Sequence, residues 1–168
     1  MNNTIAIFPA NIGHKSDLVK MNIAMALETE SIKLSNELVR LGVSHALRDP
    51  GRGTYYVAQV GEVVVGCLLI TREWSDWRNA WFWWIQSVYV HPDHRRNGVF
   101  RALYEHVVER ARRDATACGI RLYVAQSNQR AQQTYCKLGM GKAPYDLFEL
   151  DWSLERAESE EQDSTDRS

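Results

Sequence analysis

Arg95, Arg96 and Arg101 flank Gly98 in the stretch Val88-Tyr89-Val90-His91-Pro92-Asp93-His94-Arg95-Arg96-Asn97-Gly98-Val99-Phe100-Arg101. An aromatic and aliphatic run enters this loop and an amphipathic repeat leaves it, so it reads as strand, loop, helix. The first N–H groups of a helix have no intrahelical acceptor, and the aligned peptide dipoles make that end partly positive. Such an end suits phosphate or pyrophosphate. Gly98 lets the backbone turn tightly, and the arginines add charge of the right sign. The G-x-G-x-x-G fingerprint and the glycine-Lys-Ser/Thr phosphate loop are both absent. A solvated basic surface, with Gly98 merely ending a turn, is the competing reading. It fits a lone basic loop better than one set between a strand and a helix.

Other reactive side chains are less informative. His91 and His94 are separated by Pro92-Asp93; proline forbids regular helical spacing of the imidazoles and no third ligand is in view, so no metal is expected. Cys67, Cys118 and Cys136 are odd in number and contain no C-x-x-C pair, against a disulfide framework or structural zinc. No histidine is placed to activate Cys136, which reads as structural.

The elements follow from apolar periodicity. Ile5 to Phe8 reads as a strand stopped by Pro9. Asp17 opens a helix running to Glu28, and a second spans Ser31 to Leu47. Thr54 to Val60 and Val63 to Thr71 form a hairpin about Gly61-Glu62. Trp74 to Asn79 reads as a polar-aromatic turn and Ala80 to Val90 as a long strand. A helix from Gly98 to Cys118 places Val99, Leu103, Val107 and Ala111 on one stripe. Arg121 to Ala125 (strand), Asn128 to Leu138 (helix) and Tyr145 to Trp152 (strand) complete an order β-α-α-β-β-β-α-β-α-β. On the aromatic strand, alternation sends Trp81 and Trp83 to one face and Phe82 and Trp84 to the other. The face outside the core can pack on helices, form a homodimer surface, or cup a cationic or apolar substrate.

Composition bounds the function. At 168 residues, 45% hydrophobic and 24% charged, the chain is one globular domain. The formal charge of −1 hides an asymmetry: residues 155–168 carry six acids and two bases, and the rest 18 bases and 15 acids. The domain is assigned to residues 1–152 and an acidic, disordered tail to residues 153–168. A body charge of +3 gives little support for a nucleic-acid partner. The longest apolar stretch, Val63 to Ile70, is far short of a membrane span. The N-terminus lacks the plan of a secretory signal, so a cytoplasmic location is expected.

Arg95-Arg96-Asn97-Gly98-Val99-Phe100 resembles the acyl-CoA signature Arg/Gln-x-x-Gly-x-Gly/Ala of the GCN5-related N-acetyltransferases (GNAT). Asn128-Gln129-Arg130-Ala131-Gln132-Gln133-Thr134-Tyr135-Cys136-Lys137-Leu138-Gly139-Met140 is similar to that family's Asn-x-x-Ala-x-x-x-Tyr-x-x-x-Gly-Met/Phe segment. The element order agrees over residues 1–152. One position departs, Phe100 standing for Gly/Ala; a phenylalanine keeps its backbone N–H, so pyrophosphate binding survives.

The resemblance implies an α/β fold with a mixed, largely antiparallel sheet flanked by helices and a β-α-β acyl-CoA half. It implies N-acetyltransfer from acetyl-CoA, as cosubstrate, directly to an amine. Val88 would present its N–H to the thioester carbonyl and Val90 would hold the pantetheine arm, stabilising the oxyanion. Arg95, Arg96, Asn97, Gly98, Val99, Phe100 and Arg101 would form the pyrophosphate loop. Tyr135 would act as general acid to the leaving thiolate, and Asn128 would hold the pantetheine or order a water. The alternatives are a packed aromatic for Tyr135 and a helix cap for Asn128. The attacking amine must lose a proton; among Glu28, Glu30, Glu73 and Asp76, one of the first three is expected to bind or deprotonate it. Taken singly, each reads better as an ordinary solvated carboxylate. A small-molecule amine is the leading acceptor. A protein Nα- or Lys-acetyltransferase and a non-catalytic acyl-CoA sensor are the competing readings.

Overall fold

The computed structural model describes residues 4–152; the assigned tail at 153–168 lies outside the described residues. β1 (Ile5–Pro9), α1 (Lys15–Glu30), α2 (Asn36–Arg48), β2 (Thr54–Val60), β3 (Val63–Ser75), β4 (Ala80–Val90), α3 (Val99–Arg113), β5 (Ala117–Leu122) and α4 (Gln129–Lys137) follow in chain order. The strands form one sheet in the order β1-β2-β3-β4-β5. The first three pairings are antiparallel and β4–β5 is parallel, bridged by α3. This is the mixed sheet and β-α-β unit expected. The chain packs as two compact units that divide after Tyr123.

Alternation along the strands builds two cores in the first unit. Tyr55, Val57, Cys67 and Tyr89 pack with Leu18, Val19 and Met21 of α1 and Val43 of α2. On the opposite face lie Tyr56, Leu68 and Ile70, with Val99, Leu103 and Val107 of α3 buried. Burying each such aliphatic side chain contributes about 1.5–3 kcal/mol. Gly66 is squeezed between the layers: a Cβ there would lie 3.0 Å from the Tyr89 carbonyl and 3.1 Å from Val99.

Several boundaries move, each for a local reason. The first helix starts at Lys15, ahead of Asp17, because Asn11 accepts from the Gly13 N–H and opens a 3-10 turn leading into it. α1 and α2 are separated by residues 31–35. Ser31 ends α1 in the left-handed region (φ 58°), and Ser35 caps α2 through the Leu38 N–H. β3 absorbs Trp74, which pairs with Trp81, so the turn shrinks to residues 76–79. α3 stops at Arg113, not Cys118, because the Asp114 carboxylate accepts both the N–H and hydroxyl of Thr116. β5 therefore begins at Ala117 and ends at Leu122 instead of spanning Arg121 to Ala125. The expected last strand, Tyr145 to Trp152, does not form. Its apolar residues Tyr145, Leu147, Phe148, Leu150 and Trp152 are exposed, and an apolar run without a neighbouring ladder does not hold a strand.

Candidate active site

The decisive feature lies in β4. Its register with β3 runs Ile70↔Ile85 and then Leu68↔Val88, so Gln86 and Ser87 stand opposite Leu69 alone. A β-bulge of this kind bends a strand, and pairing with β3 resumes beyond it at Leu68↔Val88. The β4–β5 ladder stops at Ile85↔Leu122, leaving β4 from Gln86 to Val90 with no strand on that side among the described residues. The His91 N–H donates to the Val65 carbonyl of β3 at 2.8 Å. Because N–H groups alternate along an extended strand, those of Val90 and Val88 face the open side. Arg95 Nε donates to the Val90 carbonyl at 2.8 Å, from that same side.

The loop after β4 turns tightly into α3. Residues Pro92–His94 make a 3-10 turn. Arg96 (φ 66°) and Gly98 (φ 82°) then enter the left-handed region, a geometry that turns successive N–H groups into a concavity. Gly98 is the N-cap of α3 and supplies no side-chain cap. Arg96, Asn97 and Arg101 are exposed beside it, while Val99 is buried as the helix's first inward residue. The Phe100 ring turns along the helix against Tyr104, 6.1 Å between centroids.

Arg95 behaves differently from its neighbour. Its Nη1 and Nη2 donate to Glu28 Oε1 and Oε2 at 2.5 and 2.7 Å, and its guanidinium lies 5.6 Å from the Tyr89 ring centroid. The hydrogen bonds and charge of Arg95 hold the Glu28 carboxyl below its ordinary range, and the pairing raises Arg95 in turn. Glu28 is thus a weaker base than a free glutamate.

Glu73 sits in a second cluster, on the sheet face that carries α1. Glu73 accepts from Arg121 Nη1 at 2.8 Å and, through its other oxygen, from Trp84 Nε1. The Arg121 guanidinium lies 3.6 Å over Phe82, and Trp84 packs on Tyr123 at 4.4 Å. A Cβ at Gly119 would strike the Phe82 ring at 2.9 Å, so this glycine lets the ring lie flat beneath the arginine. Phe82 and Trp84 share this face, and Trp81 and Trp83 the other, as alternation requires: Trp81 packs on Trp74, and Arg72 lies over Trp83. Arg121 was not singled out from the sequence; its signal was a lone charge within a short strand beside an aromatic block. Glu30 ends α1, exposed, with no ion pair or hydrogen bond through its side chain among the described residues.

In the second unit, Asn128 caps α4, its Oδ1 accepting from the Ala131 N–H at 3.1 Å. Tyr135 is half-buried on that helix, and burial raises its phenol above the ordinary value. Cys136 is exposed beside it. Among the described residues no three His, Cys, Asp or Glu side chains converge on a metal position, and no helix is long and apolar enough to cross a membrane.

Comparison with known proteins bears on the family and the fold. Residues 22–140 match the model of the acetyltransferase (GNAT) family. A possible acetyltransferase from Clostridium difficile 630 is 37% identical with a TM-score of 0.83, over 88% of this chain and 97% of that one. Two more distant structures share the fold. Aminoglycoside N-acetyltransferase AAC(6')-Iy in complex with CoA has 12% identity and a TM-score of 0.74, over 90% of this chain and 97% of that one. Ribosomal-protein-alanine N-acetyltransferase from Brucella melitensis biovar Abortus 2308 has 15% and 0.70, over 88% and 99%. No curated protein sequence matches.

Proposed function

This chain belongs to the acetyltransferase (GNAT) family and is an acetyl-CoA-dependent acyltransferase, and on that premise we propose that it moves the acetyl group directly to the amine of a small molecule. The observation that carries the chemistry is the bulged, unladdered segment of β4 running into an uncapped helix start. There the Val88 N–H polarises the thioester carbonyl and steadies the oxyanion as the amine attacks, a type of preorganised stabilisation that is often the largest catalytic term. Val90 holds the pantetheine arm, and the backbone from Arg96 through Arg101 takes the pyrophosphate. Glu28 ties Arg95 to α1, so Arg95 shapes this loop as well as adding charge to it.

Proton bookkeeping assigns the remaining roles. As the C–S bond breaks, the thiolate takes a proton from the Tyr135 hydroxyl, which burial keeps protonated. Asn128, already the cap of α4, holds the pantetheine or orders a water. Glu73 keeps lone pairs beyond its bonds to Arg121 and Trp84, and with them it binds the acceptor amine. Glu30 or water takes the amine proton. The half-buried Glu73–Arg121–Trp84–Tyr123 cluster supports a compact acceptor. The same reading places the enzyme in the cytoplasm, where its three free cysteines stay reduced.

The test has two stages. Calorimetric titration with acetyl-CoA, with CoA and ADP as comparators, should give saturable binding strongest for acetyl-CoA. A thiol-release screen should then find turnover with small amines and little with peptide α-amines or lysine peptides. Turnover confined to peptides would overturn the acceptor class, and acetyl-CoA binding without any turnover would leave a sensor.

A further inference from the structure

On the α3 face of the sheet, Trp83, Arg72 and Arg110 line a cavity of about 160 Å³ that none of the roles above uses. Two arginines line this cavity, and no carboxylate does so among the described residues. Arg110 lies 5.8 Å from the Tyr56 ring centroid, with no carboxylate partner among the described residues. Arg72 lies 5.1 Å over Trp83. Its carboxylate neighbour, Asp114, is 3.7 Å away, beyond hydrogen-bond reach, and already accepts from Thr116. Trp83 is 5% exposed, and its indole N–H has no acceptor among the described residues. His106, packed on Tyr56 next to the cavity, has a buried Nε2 in the same condition.

Two like charges lining one cavity and an unpartnered buried donor are each unfavourable, and one acceptor of negative charge relieves both. A carboxylate offers two oxygens that suit guanidinium groups. Ile70 and the Trp83 ring add apolar surface to an otherwise polar lining, which suits a short carbon body carrying the negative charge. We propose that this cavity is a second binding site, for a small organic carboxylate, on the opposite face of the sheet from Glu73 and α1.

The test is a proton–nitrogen correlation spectrum of the full chain titrated with succinate, with neutral succinamide and inorganic phosphate as comparators. The Trp83 indole signal is assigned through Trp83→Phe or, should that variant not fold, by sequential assignment of the unaltered chain. Succinate should move this signal downfield in a saturable way and succinamide should not. Binding should weaken at least tenfold in the double variant Arg72→Gln with Arg110→Gln, and persist in Arg96→Gln, which alters the cofactor loop instead. No saturable shift, or one that survives loss of both arginines, would overturn the site. A shift abolished by Arg96→Gln would overturn it too, as binding at the cofactor loop. Tighter binding of phosphate than of succinate would overturn the carboxylate assignment.

Discussion

The guanidinium of Arg95 grips both carboxylate oxygens of Glu28, at 2.5 and 2.7 Å, while its Nε holds the Val90 carbonyl. One side chain thus joins the last turn of α1, the end of β4 and the loop that opens α3. A basic loop residue expected at the pyrophosphate loop also commits three of its donors to the protein.

Glu28→Gln should therefore leave the fold standing, since a half-exposed ion pair contributes about 0.2–1 kcal/mol. Acetyl-CoA binding should weaken by up to about tenfold, or about 1.4 kcal/mol, and adding Arg95→Gln should cost little more than Arg95→Gln alone. Calorimetry on the four members of the cycle measures this. The Glu28 carboxyl is depressed in the native state, so the pair's contribution is complete above the ordinary value of about 4.3. It fades only as pH falls through the lower native value. The effect of the variant should then be constant between about pH 5.5 and 8.

Gly98→Ala and Arg96→Gly should move stability in opposite directions. No atom lies within 4 Å of a Cβ built on Gly98, so the penalty of alanine is the left-handed backbone alone, about 1–2 kcal/mol. That lowers Tm by about 2–8 °C. Arg96 already bears such strain (φ 66°), and glycine should recover part of it. Both variants should bind acetyl-CoA more weakly, one through the distorted turn and the other through the lost charge.

Arg121→Gln removes the partner of Glu73 and the cation over Phe82. The acceptor KM should change severalfold while acetyl-CoA affinity stays as it was. Steady-state kinetics with the best amine, beside calorimetry, separates the two. If substitution of Glu28, Glu30 and Glu73 in turn leaves kcat/KM unchanged, no carboxylate of the three handles the amine.

Tyr135→Phe should reduce kcat by about 10²–10⁴, the usual worth of a general acid, with acetyl-CoA binding retained. Burial raises this phenol, so the loss of activity caused by its ionisation lies above about pH 10.

Cys67 is 1% exposed and burial pushes its thiol up to about 12. A thiol reagent should label Cys136 in the native protein and reach Cys67 only on unfolding. Because the native thiol resists ionisation, stability is full below the unfolded value of about 8.5. It declines as pH rises from there toward about 12.

What the sequence revealed depended on how local each signal was. The hairpin at Gly61, the inward stripe of α3 and the sorting of Trp81 and Trp83 from Phe82 and Trp84 are written in neighbouring residues, and all are present. Asp114 and Ser31 ended helices through a side-chain turn and a left-handed residue that periodicity does not register. The Glu28–Arg95 and Glu73–Arg121 pairs join residues far apart in the chain, so only the assembled sheet and helices bring them together.

The bulge at Gln86-Ser87 has a consequence of its own. The opening in the sheet is set by how many residues β4 contains between Ile85 and Val88, not by which they are. A side-chain scan along the strand would leave it intact, whereas deleting Ser87 would leave Gln86 alone opposite Leu69, one residue against one. Val88 and the residues after it would keep their faces and their partners on β3, and β4 would lose the local bend that the extra residue imposes. The opening beside β4 is in this sense an arithmetical property of the backbone, open to insertion and deletion and closed to substitution.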